Sequence, residues 1–381
     1  MKVTSVETFR VSQRLMFCKV STDEGVAGWG EPILESRAGA VEAAVHELAT
    51  LLVGEDPGPV ERHWQRLVKG GFYRGGPVLG SAVAGLDQAL WDIKGKVLGV
   101  PVHELLGGPT RDRLRLYAPA NGHTDAELAD RAKALIEAGY TAVKTAPEKT
   151  LDFVDSRRTV HGLVDRWTRL RDAVGDDAGF AIDFHGRVSA PMSRILLPLL
   201  EPLMPLFVEE PLPPEHQDEL HRITSATTVP IATGERLYDR WEADRVLSSG
   251  IAVLQPDVSH AFGISEVMRI AALAGLRHVH LAPHCATGPL ALASCAQIGF
   301  AVQNVLIQES HLALHTPGTH PMMRFVASPD SFAFADGHLL RPTRPGLGVE
   351  IDEDAVRAAA ADPKYDVSPV WSYPDGGYAE W

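Results

Sequence analysis

Alternating apolar and polar residues, the pattern of half-buried β-strands, run through most of residues 1–30. Apolar residues then recur at helical spacing in residues 39–53 and 81–98. Strands followed by helices predict a small α+β domain of about 115 residues. Between the two helices lies a glycine-rich stretch, residues 71–77, which lacks the Gly-Lys-Ser/Thr ending of a phosphate-binding loop. It is either a plain helix connector or a lid over a neighbouring site.

From about residue 115 the pattern changes to strands and helices in alternation, which predicts parallel strands joined by right-handed crossovers. The first unit is a strand at 114–118 with a helix at 126–138, and the second opens with a strand at 141–144. Eight such units fit before about residue 312, so that a (β/α) TIM-type barrel is the economical α/β architecture. A doubly wound open sheet is the alternative, but the sequence lacks its Gly-x-Gly-x-x-Gly fingerprint after the first strand.

Ionisable residues end six successive predicted strands. They are Asp183, Glu209, Glu235, Asp257, His284 and Glu309. The steps from Asp183 to Glu209 and from Glu209 to Glu235 are both 26 residues. Because the carboxyl ends of barrel strands meet at the face that carries barrel active sites, the common phase predicts that these side chains meet in space.

Three carboxylates on neighbouring strand ends suit Mg²⁺, which prefers oxygen ligands and retains waters. Asp183, Glu209 and Glu235 are that set. Zn²⁺ is disfavoured because no histidine pair at helical spacing and no cysteine cluster accompanies them in the sequence. Any one of these acids alone is more simply explained as a helix cap or a solvated loop residue, and it is their shared phase that favours a metal.

Two histidines lie near these acids. Asp257 and His284 end adjacent strands, so the carboxylate can orient the imidazole as a general base. His185 follows Asp183 by two residues, which strand alternation places on the same side, and it can donate a proton to a leaving oxygen. Lys144, at the end of the second strand, either neutralises substrate charge or forms a salt bridge inside the barrel mouth.

Composition narrows the class of protein. With 381 residues, 45% hydrophobic and 22% charged, the chain can bury a full core. Its formal net charge of −13 argues against a nucleic-acid partner. No apolar run reaches the ~20 residues of a membrane span, and the chain opens without an apolar signal core, so no membrane partner is expected. The three cysteines form no Cys-x-x-Cys, which favours a cytoplasmic protein without a disulfide framework.

Five short motifs accompany the strand ends. They are Asp-Phe-His-Gly-Arg-Val at 183–188, Val-Glu-Glu-Pro at 208–211, Gly-Glu-Arg at 234–236, Gln-Pro-Asp at 255–257 and Ala-Pro-His-Cys at 282–285. Together they resemble the enolase superfamily, mandelate racemase subgroup. The likeness runs nearly end to end, and within the subgroup it is greatest to the D-galactonate dehydratases.

The resemblance implies a modified (β/α) barrel that carries an α+β capping domain. It places the capping domain at residues 1–117 and the catalytic barrel at residues 118–319. A C-terminal segment, residues 320–381, would return to the capping domain. The resemblance also implies a homo-oligomer, one Mg²⁺ per subunit and a small sugar-acid substrate.

The implied reaction is dehydration of a sugar acid such as D-galactonate. The proton α to the carboxylate is lost, Mg²⁺ stabilises the enediolate, and the 3-hydroxyl leaves to give a 2-keto-3-deoxy acid. By resemblance, His284 is the base, Asp257 its orienting partner and His185 the acid. The other residues implied at the substrate are Glu309, which hydrogen-bonds the carboxylate, Lys144, Arg14, Tyr73 and Arg187.

One position departs from the subgroup's pattern. Where racemases carry Lys-x-Lys at the end of the second strand, this chain has Lys144, Thr145 and Ala146. Ala146 has no proton to exchange, so two-base racemisation is disfavoured, whereas dehydration needs only one base and one acid. The same position shapes the pocket, so the sequence leaves open which aldonate, a hexonate or a pentonate, is the substrate.

Two readings outside catalysis on aldonates remain at this stage. A catalytically silent sugar-acid-binding homologue is disfavoured because all three metal acids, both histidines and Asp257 are present. A glycosidase barrel would need two carboxylates flanking a glycosidic bond and no metal.

Overall fold

The structure is a computed structural model, and it describes residues 1–147, 150–365, 368 and 370–380. The amino-terminal part is an antiparallel sheet covered by helices. Its strands, in spatial order, are β1 (Val3–Arg10), β2 (Met16–Thr22) and β3 (Ala27–Gly30). Its helices are α1 (Ala38–Ala49), α2 (Val60–Lys69), α3 (Pro77–Leu98) and α4 (Val102–Leu105).

The predicted sheet and the two predicted helices, α1 and α3, are present. Helix α2 was not predicted, because most of its residues are polar or charged and its buried face is narrow, with Val60, Trp64 and Leu67 as its apolar members. Strand β3 packs directly on α3. A Cβ on Gly30 would lie 1.9 Å from the carbonyl oxygen of Gly85, so only glycine allows this close approach.

A second body of parallel strands and helices follows. Its strands are β4 (Arg113–Pro119), β5 (Ala142–Thr145), β6 (Gly179–Asp183), β7 (Phe207–Glu209), β8 (Ile231–Thr233), β9 (Val253–Leu254), β10 (His280–Leu281) and β11 (Gln308–Glu309). Its helices are α5 (Asp125–Glu137), α6 (Arg157–Val174), α7 (Ala190–Leu200), α8 (Leu220–Thr224), α9 (Arg240–Leu247), α10 (Ile264–Leu276) and α11 (Pro289–Ala301). Each helix follows one strand, as the alternating pattern predicted.

These strands form a ring. Neighbours pair in parallel from β4 through β10, and β11 returns to pair with β4. A parallel bridge between Leu281 and Val305 joins β10 to the chain just before β11. One buried cluster takes a side chain from each strand or its immediate flank: Tyr117, Ala142, Ala181, Phe207, Ala232, Val253, Ala282 and Ile307. Side chains that converge from all eight strands are the interior layer of a barrel, and the predicted (β/α) barrel is confirmed.

The chain after β11 contacts both bodies. Strands β12 (Phe334–Ala335) and β13 (His338–Leu340) form a hairpin, and β13 pairs antiparallel with the start of β4. Helix α12 (Glu353–Ala360) lies against β1 and β2, where Lys19 Nζ is 2.6 Å from Glu353 Oε2. Short 3₁₀ helices occupy Pro321–Phe325 and Pro329–Phe332 in this part of the chain, and Glu201–Leu203 and Pro214–Glu219 in the barrel. The C-terminal segment is therefore shared between the barrel and the capping sheet.

Buried polar contacts hold the capping domain on the carboxyl-terminal face of the barrel. Glu31 is fully buried and accepts the N–H groups of Leu290 and Ala291, both at 3.1 Å, and that of Gly288. These are the first amides of α11, just beyond the loop that carries His284, so Glu31 caps a barrel helix from outside the barrel. In the part of the chain that is described, no helix is long and apolar enough to span a membrane.

Candidate active site

Three carboxylates from consecutive strands converge at the barrel mouth. Asp183 ends β6 and Glu209 ends β7, and the two residues are direct partners in the parallel ladder. Glu235 follows β8 by two residues. One oxygen from each lies within 4.8 Å of the others. Carboxylates that are 26 residues apart in the sequence are therefore close in space, because each strand–helix repeat returns the chain to the same face of the barrel.

Glu235 reaches the cluster because of the glycine before it. Gly234 has a φ of 141°, and a Cβ there would lie 2.7 Å from the backbone nitrogen of Gln255. Any larger residue would push β8 away from β9. The glycine therefore sets the position from which the Glu235 side chain turns towards Asp183 and Glu209.

The donor set fits a hard divalent cation. The carboxylates of Asp183 and Glu209 are almost completely buried, and Glu209 Oε2 has no hydrogen-bond donor among the described residues. Burial and the neighbouring Asp183 raise the pKa of Glu209 well above its ordinary value. Burial likewise raises the pKa of Glu235 to about 7. A divalent cation between these oxygens would reverse both shifts, and oxygen-only coordination is what Mg²⁺ prefers.

Lys144 lies inside the same cluster. Its Nζ is 2.6 Å from Glu309 Oε1, 3.0 Å from Glu209 Oε1 and 3.3 Å from Asp183 Oδ2. Burial by itself lowers the pKa of Lys144, but these carboxylates raise it well above its ordinary value. The lysine is therefore a fixed cation in this arrangement, which is the salt bridge in the barrel mouth that was one of its two expected roles.

His284 lies between Asp257 and Glu235, so it contacts the carboxylate cluster through Glu235. His284 Nδ1 is 2.7 Å from Asp257 Oδ2, and Nε2 is 3.2 Å from Glu235 Oε2. Asp257 is held in turn by the Ser259 N–H at 2.7 Å. Burial alone lowers the pKa of His284, but Glu235 and the other carboxylates raise it well above its ordinary value. Asp257 therefore fixes the orientation of the His284 imidazole, and Nε2 is directed at the carboxylate cluster.

His185 lies beside the carboxylate cluster, as predicted, but strand alternation is not what places it there. Strand β6 ends at Asp183, so strand alternation does not place the ring. Instead His185 adopts a left-handed backbone with φ of 52°, and its N–H donates to Asp183 Oδ1 at 2.7 Å. This turn brings Nε2 to 3.1 Å from Asp183 Oδ2. A strained non-glycine residue at a strand end is typical of functional sites, and burial lowers the pKa of this imidazole.

Glu309 is held by several donors. Its Oε2 accepts the Cys285 N–H at 2.9 Å, and its Oε1 is 3.2 Å from His311 Nε2 as well as close to Lys144. Burial alone raises the pKa of Glu309, but Lys144 and the histidines hold it well below its ordinary value. His311 was not predicted, although it follows Glu309 by two residues in the same way that His185 follows Asp183.

Of the three predicted substrate-binding residues outside the cluster, two line cavities at the barrel mouth. Arg14 lines a cavity of about 680 Å³ that also contains His185 and His284, and it pairs with Glu35 at 2.6 Å. Arg187 lines an adjoining cavity of about 1290 Å³ that also reaches His185. Tyr73 is not brought to either cavity, since its side chain is 87% exposed and packs edge-on against Phe72. The substrate roles of these residues remain predictions.

The smaller cavity lies between the capping domain and the barrel, and it has walls that the sequence did not indicate. Its lining from the capping side is residues 34–37 and Pro77 in addition to Arg14, and from the barrel it includes His260, Thr287 and His311. Two C-terminal residues, Ser368 and Val370, complete it. These residues belong to no repeat or motif in the sequence, so their place in the cavity wall becomes clear only when distant segments pack together.

The chain belongs to the enolase superfamily, in its mandelate racemase/muconate lactonizing enzyme branch. The model of the mandelate racemase/muconate lactonizing enzyme N-terminal domain matches residues 2–107, and the enolase C-terminal domain-like model matches residues 127–355. These two matches correspond to the capping domain and the barrel.

Curated relatives match over the full length. The chain is 48% identical to a D-galactonate dehydratase from Ralstonia nicotianae and 46% identical to one from Pectobacterium atrosepticum, with 100% of each chain covered. Among solved structures, an enolase from Agrobacterium radiobacter, with Na and L-malate bound, is 34% identical, covers 100% of both chains and has a TM-score of 0.91. The family assignment excludes the glycosidase alternative.

Proposed function

We propose that this protein is a Mg²⁺-dependent dehydratase that converts D-galactonate to 2-dehydro-3-deoxy-D-galactonate. The observation that carries the proposal is the placement of two histidines at one carboxylate cluster, with His284, oriented by Asp257, beside Glu235 and His185 beside Asp183. Full-length identity of 48% to a D-galactonate dehydratase supports this substrate over other aldonates.

The base is His284. With Nδ1–H donating to Asp257, Nε2 accepts the proton from the α-carbon when the imidazole is neutral. A cation held by Asp183, Glu209 and Glu235 would favour that neutral form, because it would offset the Glu235 charge that raises the pKa of His284. The C–H bond electrons move into the carboxylate to form an enediolate. Mg²⁺, which Asp183, Glu209 and Glu235 would hold, supplies positive charge that stabilises the developing negative charge. Lys144 adds a second fixed cation next to Glu309.

The acid is His185. Burial lowers the pKa of this ring, and the adjacent Asp183 opposes that shift and favours the protonated form. The imidazolium donates a proton to the 3-hydroxyl, the C–O bond breaks, and water leaves as the enediolate electrons form the new double bond. The resulting enol tautomerises to the 2-keto product. His185 lies beside Asp183 and His284 beside Glu235, so the proposal assigns the acid and the base to two separate groups of the same cavity.

Ala146 supports elimination over racemisation. It lines both cavities beside Thr145, where a second base would have to stand. A methyl group cannot return a proton to the other face of the α-carbon, whereas dehydration needs no such group.

A screen of an aldonate library with purified protein and Mg²⁺ tests the proposal. We expect 2-keto-3-deoxy product from D-galactonate at the highest kcat/KM, and none with His284→Asn or with excess EDTA. A higher kcat/KM for another hexonate or for a pentonate would show that the substrate is wrong. Binding of aldonates without any product would identify a catalytically silent homologue.

Two further proposals concern the setting of the enzyme. We expect a homo-oligomer, which light scattering on the purified chain would establish. We also expect a cytoplasmic location, and the three cysteines, Cys18, Cys285 and Cys295, are consistent with it because all are buried and unpaired.

A further inference from the structure

The described residues after α12 run from the capping domain across the barrel mouth. We call residues 364–380, without the undescribed positions 366, 367 and 369, the C-terminal strap. At its start the Lys364 N–H donates to the carbonyl of Val11 at 2.9 Å, and Arg10 Nη2 donates to Tyr365 OH at 3.0 Å. Further along, the hydroxyls of Ser368 and Ser36 are in contact. The first half of the strap is therefore fastened to the capping domain.

The second half of the strap lies on the barrel. The Tyr373 hydroxyl donates to the carbonyl of Leu151 at 3.4 Å. A hairpin turn, in which the Tyr373 N–H donates to Gly377 at 2.8 Å and the Ala379 N–H donates to Trp371 at 3.0 Å, fixes the backbone of Trp371. The strap thus bridges the two bodies, and between its anchors it passes the substrate cavities.

Trp371 is the strap residue that contacts Arg187. Its indole ring lies against Arg187, with the guanidinium carbon 4.8 Å from the ring centroid. Both residues line the larger cavity together with His185. Ser368 and Val370, a few residues earlier, line the smaller cavity with His284. An indole face stabilises a guanidinium and restricts its orientation, and the effect increases as the cation loses water.

We propose that Trp371 is a substrate-positioning residue, which holds Arg187 at the cavity wall so that its guanidinium meets the anionic sugar acid next to His185. The proposal rests on the proposed dehydration of D-galactonate. Arg187 is two residues from His185 and half-buried, so a small displacement of its side chain changes what the substrate contacts. Burial lowers the pKa of Arg187, which is the environment in which stacking on an aromatic face matters most.

Steady-state kinetics with D-galactonate separate positioning from a structural role. We expect Trp371→Ala to raise KM about tenfold with kcat changed less than about twofold, the size that the loss of one desolvated cation–π contact allows. Trp371→Phe keeps an aromatic face over Arg187 and is expected to restore most of the KM. A Trp371→Phe variant as defective as Trp371→Ala would overturn the stacking mechanism.

Trp241 provides the matched control. It is 58% exposed and its ring also lies on an arginine, with Arg240 Cζ 5.0 Å from the centroid, but it lines neither cavity. Trp241→Ala therefore makes the same chemical change without touching the substrate site. Its KM is expected to match that of the unchanged protein, and an equal rise in both variants would contradict the proposal.

A double-mutant cycle shows whether Trp371 acts through Arg187. Arg187→Met is expected to raise KM at least as much as Trp371→Ala, and the double variant is expected to be no worse than Arg187→Met alone. Additive effects would mean that Trp371 acts independently, and the proposal would fail. If Trp371→Ala does not fold, the Phe variant and the cycle built on it still decide the question.

The proposed function and the proposed role of Trp371 are contradicted by different results. Absence of D-galactonate turnover in the unchanged protein contradicts the proposed function. Normal turnover in the unchanged protein, with the same KM in Trp371→Ala, contradicts only the role of the strap.

Discussion

His284 Nδ1 lies 2.7 Å from Asp257 Oδ2, while the other ring nitrogen lies 3.2 Å from Glu235 Oε2. One carboxylate thus fixes the tautomer, and Nε2, the nitrogen that would accept the α-proton, faces the carboxylate cluster. Asp257→Asn keeps the shape but presents an amide, which does not stabilise the imidazolium that forms on proton abstraction. We expect kcat to fall by about 10²- to 10⁴-fold.

Replacement of His284 itself is expected to abolish exchange of the substrate α-proton with deuterated solvent, measured by NMR. His161, an exposed histidine on α6, gives the matched control, since His161→Asn removes an imidazole that lines neither cavity. Exchange that survives in His284→Asn would mean that another group is the base.

His185→Asn is expected to impair elimination more than proton abstraction. Its Nε2 lies beside Asp183, whereas that of His284 lies beside Glu235, and the proposed mechanism assigns His185 to the leaving hydroxyl. A 3-deoxy-3-fluoro analogue needs little acid assistance, and it is expected to rescue His185→Asn much more than His284→Asn. Product release from both substrates is measured in parallel, and equal rescue of the two variants would show that the roles are shared or reversed.

Mg²⁺ is expected to raise the melting temperature of the protein, because a ligand that binds only the folded state stabilises it by about 2.7 kcal/mol at one hundred times its Kd. Glu209→Gln removes a buried carboxylate that is proposed to bind the metal and is expected to abolish this shift, whereas Glu215→Gln, at an exposed glutamate, is expected to retain it. Differential scanning calorimetry with and without Mg²⁺ makes the comparison. An undiminished shift in Glu209→Gln would place the metal elsewhere.

Without Mg²⁺, Glu209→Gln is expected not to destabilise the protein. Burial and Asp183 disfavour the Glu209 carboxylate, as its raised pKa indicates, so a neutral amide of the same size removes repulsion. A large loss of melting temperature in the metal-free variant would show that the salt bridge to Lys144 outweighs that repulsion.

Glu31 gives a pH-dependent prediction. Burial, opposed by the backbone N–H groups of α11, raises its pKa from 4.5 to about 7. The folded state therefore binds this proton more tightly than the unfolded state. The associated stabilisation is complete below about pH 4.5 and is lost as the pH rises through about 7, a total of about 3 kcal/mol.

Denaturant unfolding of Glu31→Gln between pH 5 and 7.5 isolates this contribution, since glutamine does not titrate. The free energy of unfolding of the unchanged protein, measured against that of Glu31→Gln, is expected to fall over this range. A difference that rises with pH would mean that the α11 amides keep the carboxylate ionised.

Much of the site could be predicted because barrel geometry converts sequence phase into proximity. Asp183, Glu209 and Glu235 were recognised from equal spacing alone, and Lys144 from its place at the end of the second strand. Their convergence follows from the periodic fold, so the prediction needed no knowledge of side-chain packing. The roles of these residues in metal binding and catalysis are what the proposed experiments test.

Contacts that depend on local turns and loops could not be predicted in this way. His185 reaches Asp183 through a left-handed turn rather than through strand alternation, and the pattern of hydrophobic residues carries no information about that turn. Tyr73 was expected at the substrate from a motif, yet its loop leaves the ring exposed. The conformations of such turns and loops depend on the residues that pack around them.

The sequence by itself determined the fold class, the common phase of the strand-end carboxylates and the pairing of Asp257 with His284, because each depends on periodicity or on neighbouring strand ends. Only the tertiary structure decided the walls of the substrate site. Glu31 meets α11 across about 260 residues, and Trp371 meets Arg187 across 184. No local pattern records such pairs, because they are selected by the burial of charge and aromatic surface when the capping domain, the barrel and the C-terminal strap pack together.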